Sequence, residues 1–181
     1  SSLEPLQYIP LKYLSCSKNQ ISSMEPLNMN AMNSLNISYN KLDSLDSISG
    51  KNLEMLAIRG NQIRSLAPLH GMNLKTLDAG KNLFNTLTPL CGMPLETLFV
   101  DGSGISNLNP VKDMKLITLG LHNCKKLKDI SPIFEMKSLQ MLSLPPEPEN
   151  VAPLQKLPAL MFITDSGITP QGKHSETADV F

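Results

Sequence analysis

Apolar residues return along this chain with a period of 21 residues, lengthening to 22 or 23 towards its C-terminal end. Aligning LKYLSCSKNQI, MNSLNISYNKL, LEMLAIRGNQI, LKTLDAGKNLF, LETLFVDGSGI, LITLGLHNCKKL and LQMLSLPPE superposes Leu14, Leu35, Leu56, Leu77, Leu98, Leu119 and Leu142; Ile163 anchors a shortened eighth copy. Three residues earlier stand Leu11, Met32, Leu53, Leu74, Leu95, Leu116, Leu139 and Leu160. Two residues later stand Cys16, Ile37, Ile58, Ala79, Val100, Leu121 and Leu144. Alternation around each anchor is the period of a strand with one buried face, so the pattern predicts one short strand per copy.

A single copy cannot fold alone. About seven inward apolar side chains are worth roughly 10 to 20 kcal/mol when fully buried, against an ordering cost of roughly 1.5 kcal/mol for each residue of the copy. Stacked copies complete one another's burial and pair their strand edges, which makes stability collective and the end coils weak.

Five residues after the anchor come Asn19, Asn40, Asn61 and Asn82, then Ser103, Cys124 and Glu147. The resulting motif, L-x-x-L-x-L-x-x-N-x-I/L, resembles the leucine-rich repeat family over residues 1 to about 169. The resemblance implies an α/β-type repeat solenoid, a curved right-handed stack whose concave face carries a parallel sheet of about eight short strands. It also implies that the Asn amides bond to backbone groups of adjacent coils, that Cys substitutes there, and that Glu147 fits the column poorly. Between strands, Pro5, Pro26, Pro68, Pro89, Pro110, Pro132 and Pro153 share a column that Ser47 breaks. Pro followed closely by Gly argues against a long helix on the convex face, leaving irregular chain or short helical turns. Repeats this short resemble the bacterial internalin-like class, and the P-L-x-G-M-x-L variant is similar to arrays attached to bacterial serine/threonine protein kinases.

Ser2-Leu3-Glu4-Pro5-Leu6 matches Ser23-Met24-Glu25-Pro26-Leu27, so the chain opens in the last third of a repeat. Solenoids need polar caps over their end coils. The expectation is therefore a fragment of a longer polypeptide with repeats or another domain upstream; the alternative is an abrupt start with the first loop as its own cover. Residues 1–169 are expected to form the solenoid. Residues 170–181, without periodicity, are expected to form a polar, mobile tail. The Pro-rich stretch at 145 to 149 reads as a loop irregularity.

Composition narrows the function. The chain is 41 % apolar and 18 % charged, which excludes wholesale disorder. Sixteen basic and sixteen acidic residues cancel, and no Lys/Arg run appears. That balance points away from nucleic acid and anionic membranes and towards neutral partners. No stretch has the apolar length of a membrane span, and the N-terminus lacks the regions of a signal peptide. Cys16 lies in an inward column, Cys124 in the Asn column and Cys91 on a convex segment. Cys16 and Cys124 are five coils apart, roughly 24 Å at one strand spacing per coil, too far for a disulfide. Three unpaired cysteines fit a reducing compartment, so the cytoplasm is favoured.

No chemistry-bearing constellation emerges. His70, His122 and His174 do not pair with other ligands at metal spacing. Asp101-Gly102-Ser103-Gly104 resembles a phosphate loop only superficially, since it opens no helix. No nucleophile elbow or recurrent acid pair is present. Neither catalysis nor a metal or cofactor is expected of this chain.

What remains is the concave face, where residues beside the inward leucines turn outward. The first outward column is Tyr13, Ser34, Met55, Thr76, Thr97, Thr118, Met141 and Phe162. The second is Ser15, Asn36, Ala57, Asp78, Phe99, Gly120, Ser143 and Thr164; the third is Ser17, Ser38, Arg59, Gly80, Asp101, His122 and Pro145. An exposed Phe99 flanked by Arg59, Asp78, Asp101 and His122, with Gly80 and Gly120 leaving room beside it, reads as a protein-contact patch that Tyr39 and Met55 extend. The competing reading pairs Arg59 with Asp78 or Asp101 as a solvated ion pair. The expected function is recognition of a protein or peptide on the concave face. Two alternatives are a regulatory or substrate-docking segment of a larger bacterial signalling enzyme, such as a serine/threonine protein kinase, and a passive spacer.

Overall fold

The structure, a computed structural model, describes residues 3–165. The expected tail at 170–181 and the last residues of the expected solenoid lie outside them. Eight three-residue strands form one parallel sheet in chain order: β1 (Tyr13–Ser15), β2 (Ser34–Asn36), β3 (Met55–Ala57), β4 (Thr76–Asp78), β5 (Thr97–Phe99), β6 (Thr118–Gly120), β7 (Met141–Ser143) and β8 (Phe162–Thr164). The anchor column is the register of that sheet, with Leu14 opposite Leu35, Leu77 opposite Leu98 and Leu142 opposite Ile163. Coils are numbered 1 to 8 after their strands.

Each chain leaves the sheet through a tight turn. In coils 1 to 6 the residue after the third outward column, Lys18, Tyr39, Gly60, Lys81, Gly102 and Asn123, has φ between +51° and +68°. The return path carries short 3-10 turns, among them Asp46–Ile48, Ala67–Leu69, Thr88–Leu90, Asn109–Val111, Ser131–Glu135 and Ala152–Lys156, and no long helix among the described residues. Ser47 breaks the Pro column without breaking the turn. A second column explains this: side chains of Ser23, Ser44, Ser65, Thr86, Asn107 and Asp129 each accept the backbone N–H two residues ahead, at 2.8 to 3.2 Å. These local bonds bend the chain into the turn whether or not Pro follows.

The Asn ladder is built as the family resemblance implies. Asn82 donates to the carbonyls of Ala79 in its own coil (3.0 Å) and Ile58 in the previous one (2.9 Å), and accepts from Ile63 N–H at 3.0 Å. Asn40 and Asn61 repeat this set, so each amide ties two coils together. Asn19 is exposed and bonds only within its own coil, to Cys16 and Ser17 carbonyls. Cys124 keeps the inter-coil link by donating to Val100 carbonyl at 3.2 Å. Glu147 is exposed and pairs instead with Lys128 at 3.0 Å.

Inward columns fill one continuous core from coil to coil. Burial weakens at the ends: Leu11, Leu14 and Cys16 are half-buried, and Ile163 is 45 % exposed. Ile163 keeps the anchor register opposite Leu142 but is less sealed than the anchors of coils 2 to 7.

Candidate functional site

Alternation does carry Asp78, Phe99, Arg59 and Asp101 to the concave side of the sheet, but that side is not open ground. Phe99 is only 1 % exposed, and Asp78 and Asp101 are 3 % and 4 % exposed. The expectation of an exposed Phe99 is therefore wrong. In the second column Asn36, Ala57, Gly120, Ser143 and Thr164 are buried as well. Strands about 4.8 Å apart set each middle-column side chain among the columns flanking it, where large neighbours shield it.

Glycines determine how the large side chains lie. A Cβ added at Gly80 would fall 2.7 Å from Arg59 Cζ, one at Gly120 would fall 2.5 Å from Phe99 Cδ1, and one at Gly60 would fall 2.6 Å from Tyr39 Cδ1. In all three cases a side chain from the preceding coil lies flat over the glycine of the next. The room beside Phe99 is filled by the chain itself.

Arg59 uses its gap to bridge three coils. Its Nε donates to both oxygens of Asp78, at 2.8 and 3.1 Å, and its Nη2 passes over coil 4 to Asp101 in coil 5. The Arg59 side chain is 14 % exposed and each carboxylate 5 %, so this is a buried triad where a solvated pair was the competing expectation. Burial opposes the Arg59 charge, but the two carboxylates and their hydrogen bonds outweigh it and hold the guanidinium above its ordinary range. Burial likewise pushes the Asp78 carboxyl up, with Arg59 and the Gly80 N–H pulling it back.

The network continues towards the C-terminal coils. Asp101 Oδ1 accepts the His122 N–H at 3.0 Å and the Ser143 hydroxyl at 3.3 Å. Ser143, fully buried, accepts in turn from Leu121 and His122 N–H groups at 3.0 and 3.2 Å. His122 Nδ1–H donates to the Asp165 carbonyl at 2.7 Å, again reaching two coils ahead. Arg59, Asp78, Asp101 and His122 are thus brought together by direct bonds. Phe99 joins them at Gly120, whose added Cβ would also lie 3.0 Å from Asp101 Oδ1. Tyr39 lies apart, over Gly60, with Lys81 Nζ 5.7 Å from its ring centroid. Met55 stands at the rim, 39 % exposed, in the first column with Tyr13 at 52 %. Sequence reasoning missed the structural roles of Gly60 and Ser143; the clue to the first was that Tyr39 and Gly60 stand one 21-residue repeat apart in the same turn column.

Among the described residues no group of three or more His, Cys, Asp or Glu side chains could hold a metal ion, and no helix is long and apolar enough to cross a membrane.

No family model and no curated protein matches the chain. Solved structures do match. Internalin C2 of Listeria monocytogenes is 22 % identical, with 84 % of this chain and 80 % of that one covered and a TM-score of 0.67. Internalin F of the same organism is 23 % identical over 90 % of this chain, with a TM-score of 0.74; the match spans 57 % of internalin F. A leucine-rich-repeat protein of Leptospira interrogans is 20 % identical over 84 % of this chain and 42 % of its own, with a TM-score of 0.65. With the eight-stranded parallel sheet, the Asn ladder and the short convex turns, these likenesses establish the fold as a leucine-rich-repeat solenoid of the kind seen in internalins.

Proposed function

We propose that this solenoid is a non-catalytic recognition module that binds a protein or peptide on its concave face. The observation that carries this reading is the self-tiled sheet. Tyr39, Arg59 and Phe99 lie down over Gly60, Gly80 and Gly120 and are held there by packing and by the buried triad. A floor already locked in place loses little conformational freedom on binding, which favours association. Tyr13 and Met55 rise from its first column, flanked by half-buried Ser34, Thr76 and Thr97. These rim residues, with Tyr39, make the contact, and Arg59, Asp78, Phe99, Asp101 and His122 form the foundation beneath. The internalin structures add support through fold alone.

The test places a photoreactive amino acid at Met55 or Ser34 on the concave face, or at exposed Thr88 on the convex face, in the full chain within its source cells. The expected result is a shared cross-linked partner from positions 55 and 34 and none from 88. Equal adducts from all three positions, or none from any, would refute the reading.

A further inference from the structure

The zero net charge of the chain conceals a one-sided distribution. In coils 1 to 6 the turns that leave the strands, residues 17–20, 38–41, 59–62, 80–83, 101–104 and 122–126, contain Lys18, Lys41, Arg59, Lys81, Lys125 and Lys126 and a single carboxylate, Asp101, whereas the turn of coil 7 carries Glu147 and Glu149. Asp101 is buried and, together with Asp78, bound to Arg59, so the one arginine of these turns is already matched by carboxylates and the lysines carry the outward charge. All five lysines are exposed. The opposite edge, just ahead of the strands, is mixed: Lys12, Glu54, Lys75 and Glu96 alternate there, and Lys75 Nζ lies 3.7 Å from Glu96 Oε1.

We infer that the turn edge of coils 1 to 6 is a docking strip for an acidic polypeptide segment that also carries an apolar side chain. Lys41 Nζ meets the neutral amide oxygen of Gln20 at 3.1 Å, and Lys81 lies over the Tyr39 ring, so neither charge is cancelled by its partner. Leu83, two residues after Lys81 in the same turn, is 53 % exposed and supplies apolar ground. Lys18 to Lys125 spans five coil spacings, roughly 24 Å, the reach of about seven residues of extended peptide. Lysine ammonium groups act as mobile point charges that suit carboxylates on a flexible chain, whereas phosphate recognition favours Arg, and Arg59 is already committed. A strip with Tyr39 as its one aromatic, lying flat over Gly60, also lacks the stacking platform of a single-stranded nucleic-acid site.

This deepens the recognition reading and rests on it, adding a charged contact at the edge of the sheet. It is tested with the full chain and a fluorescent peptide of alternating glutamate and leucine, read by anisotropy at low ionic strength. Binding that fades with salt is expected, about tenfold weaker in the double variant Lys41→Glu, Lys81→Glu. Reversal on the other surfaces, Lys12→Glu with Lys115→Glu, is expected to leave it unchanged. The inference is overturned by absence of binding, by equal binding of a glutamine-for-glutamate peptide, or by equal weakening in the control variant. Duplex DNA or phosphatidylserine vesicles bound more tightly than the peptide, and lost with the same Lys41 and Lys81 reversal, would overturn the assignment to a polypeptide. Cross-links from Met55 without peptide binding sink the strip alone; peptide binding without those cross-links sinks the concave reading alone.

Discussion

Arg59 in coil 3 reaches Asp101 in coil 5 by laying its guanidinium over Gly80 of the coil between them. One side chain thereby links three successive coils, with the guanidinium and both carboxylates largely shielded from solvent. Arg59→Ala removes the cation and leaves two buried carboxylates facing each other, which is expected to destabilise the fold by about 3 to 5 kcal/mol at neutral pH. The loss is pH-dependent. Burial already holds the Asp78 carboxyl above its ordinary range, so between the ordinary and the raised value the folded chain binds more protons than the unfolded one, and stability falls as pH rises. Removing Arg59 widens that window, so the deficit in urea unfolding is expected to shrink as pH drops from 7 towards about 4. A deficit that stays constant across that range would contradict the triad.

Phe99 and Gly120 pack as one unit, and a double-mutant cycle is expected to show their coupling. Phe99→Ala is expected to cost about 3 to 5 kcal/mol, because the ring is buried. Gly120→Ala, whose Cβ would fall 2.5 Å from that ring, is expected to cost about 1 to 3 kcal/mol. Combined, the two losses should sum to less than their separate values by about 1 kcal/mol or more, since a smaller side chain at 99 frees the space over position 120. Strict additivity in chemical denaturation would show that the ring does not lie over the glycine.

What could be read from the sequence is what repeats. Leu77 opposite Leu98, and Asn82 bonding back to Ile58, follow from columns that any single copy displays. Thr76 and Leu77 were correctly assigned to opposite faces, with Thr76 half-exposed and Leu77 sealed. The burial of Phe99 was not legible, because alternation tells which face a side chain takes and not what lies on that face. Its shielding depends on Gly120, an absence of side chain in the next coil, and the anchoring of Asp101 depends on Ser143, 42 residues away. Such pairings are specific to one place in the stack, so no column average contains them. The column of turn-bonding side chains from Ser23 to Asp129 did repeat, but its members differ in residue type and share only a short polar acceptor.

Asn82 and Asn19 occupy the same column and should behave differently. Asn82→Ala strips partners from a buried Ile63 N–H and from carbonyls in two coils, and is expected to cost about 2 to 3 kcal/mol. Asn19→Ala loses only bonds inside an exposed turn and should change stability by about 0.5 kcal/mol or less. Equal effects in urea titrations would mean that the amides stabilise their own turn and not the junction between coils.

The three cysteines give a direct reading of how tightly the stack closes along its length. Cys91 is exposed on the return path, Cys16 is half-buried in the first coil, and Cys124 is buried in the ladder with its thiol donating to Val100 carbonyl. Burial raises the thiol of Cys16 and that of Cys124 above the ordinary range, so each has less thiolate near neutral pH and reacts more slowly than an open cysteine. Alkylation of the native chain by iodoacetamide, followed by peptide mass spectrometry, is expected to label Cys91 first, Cys16 next and Cys124 last. Because Cys124 has coils on both sides, its labelling should wait for unfolding and accelerate at the urea midpoint, whereas Cys16 should report fraying of the first coil at lower denaturant. Labelling of Cys124 at the rate of Cys91 in native buffer would mean that the ladder is open at coil 6.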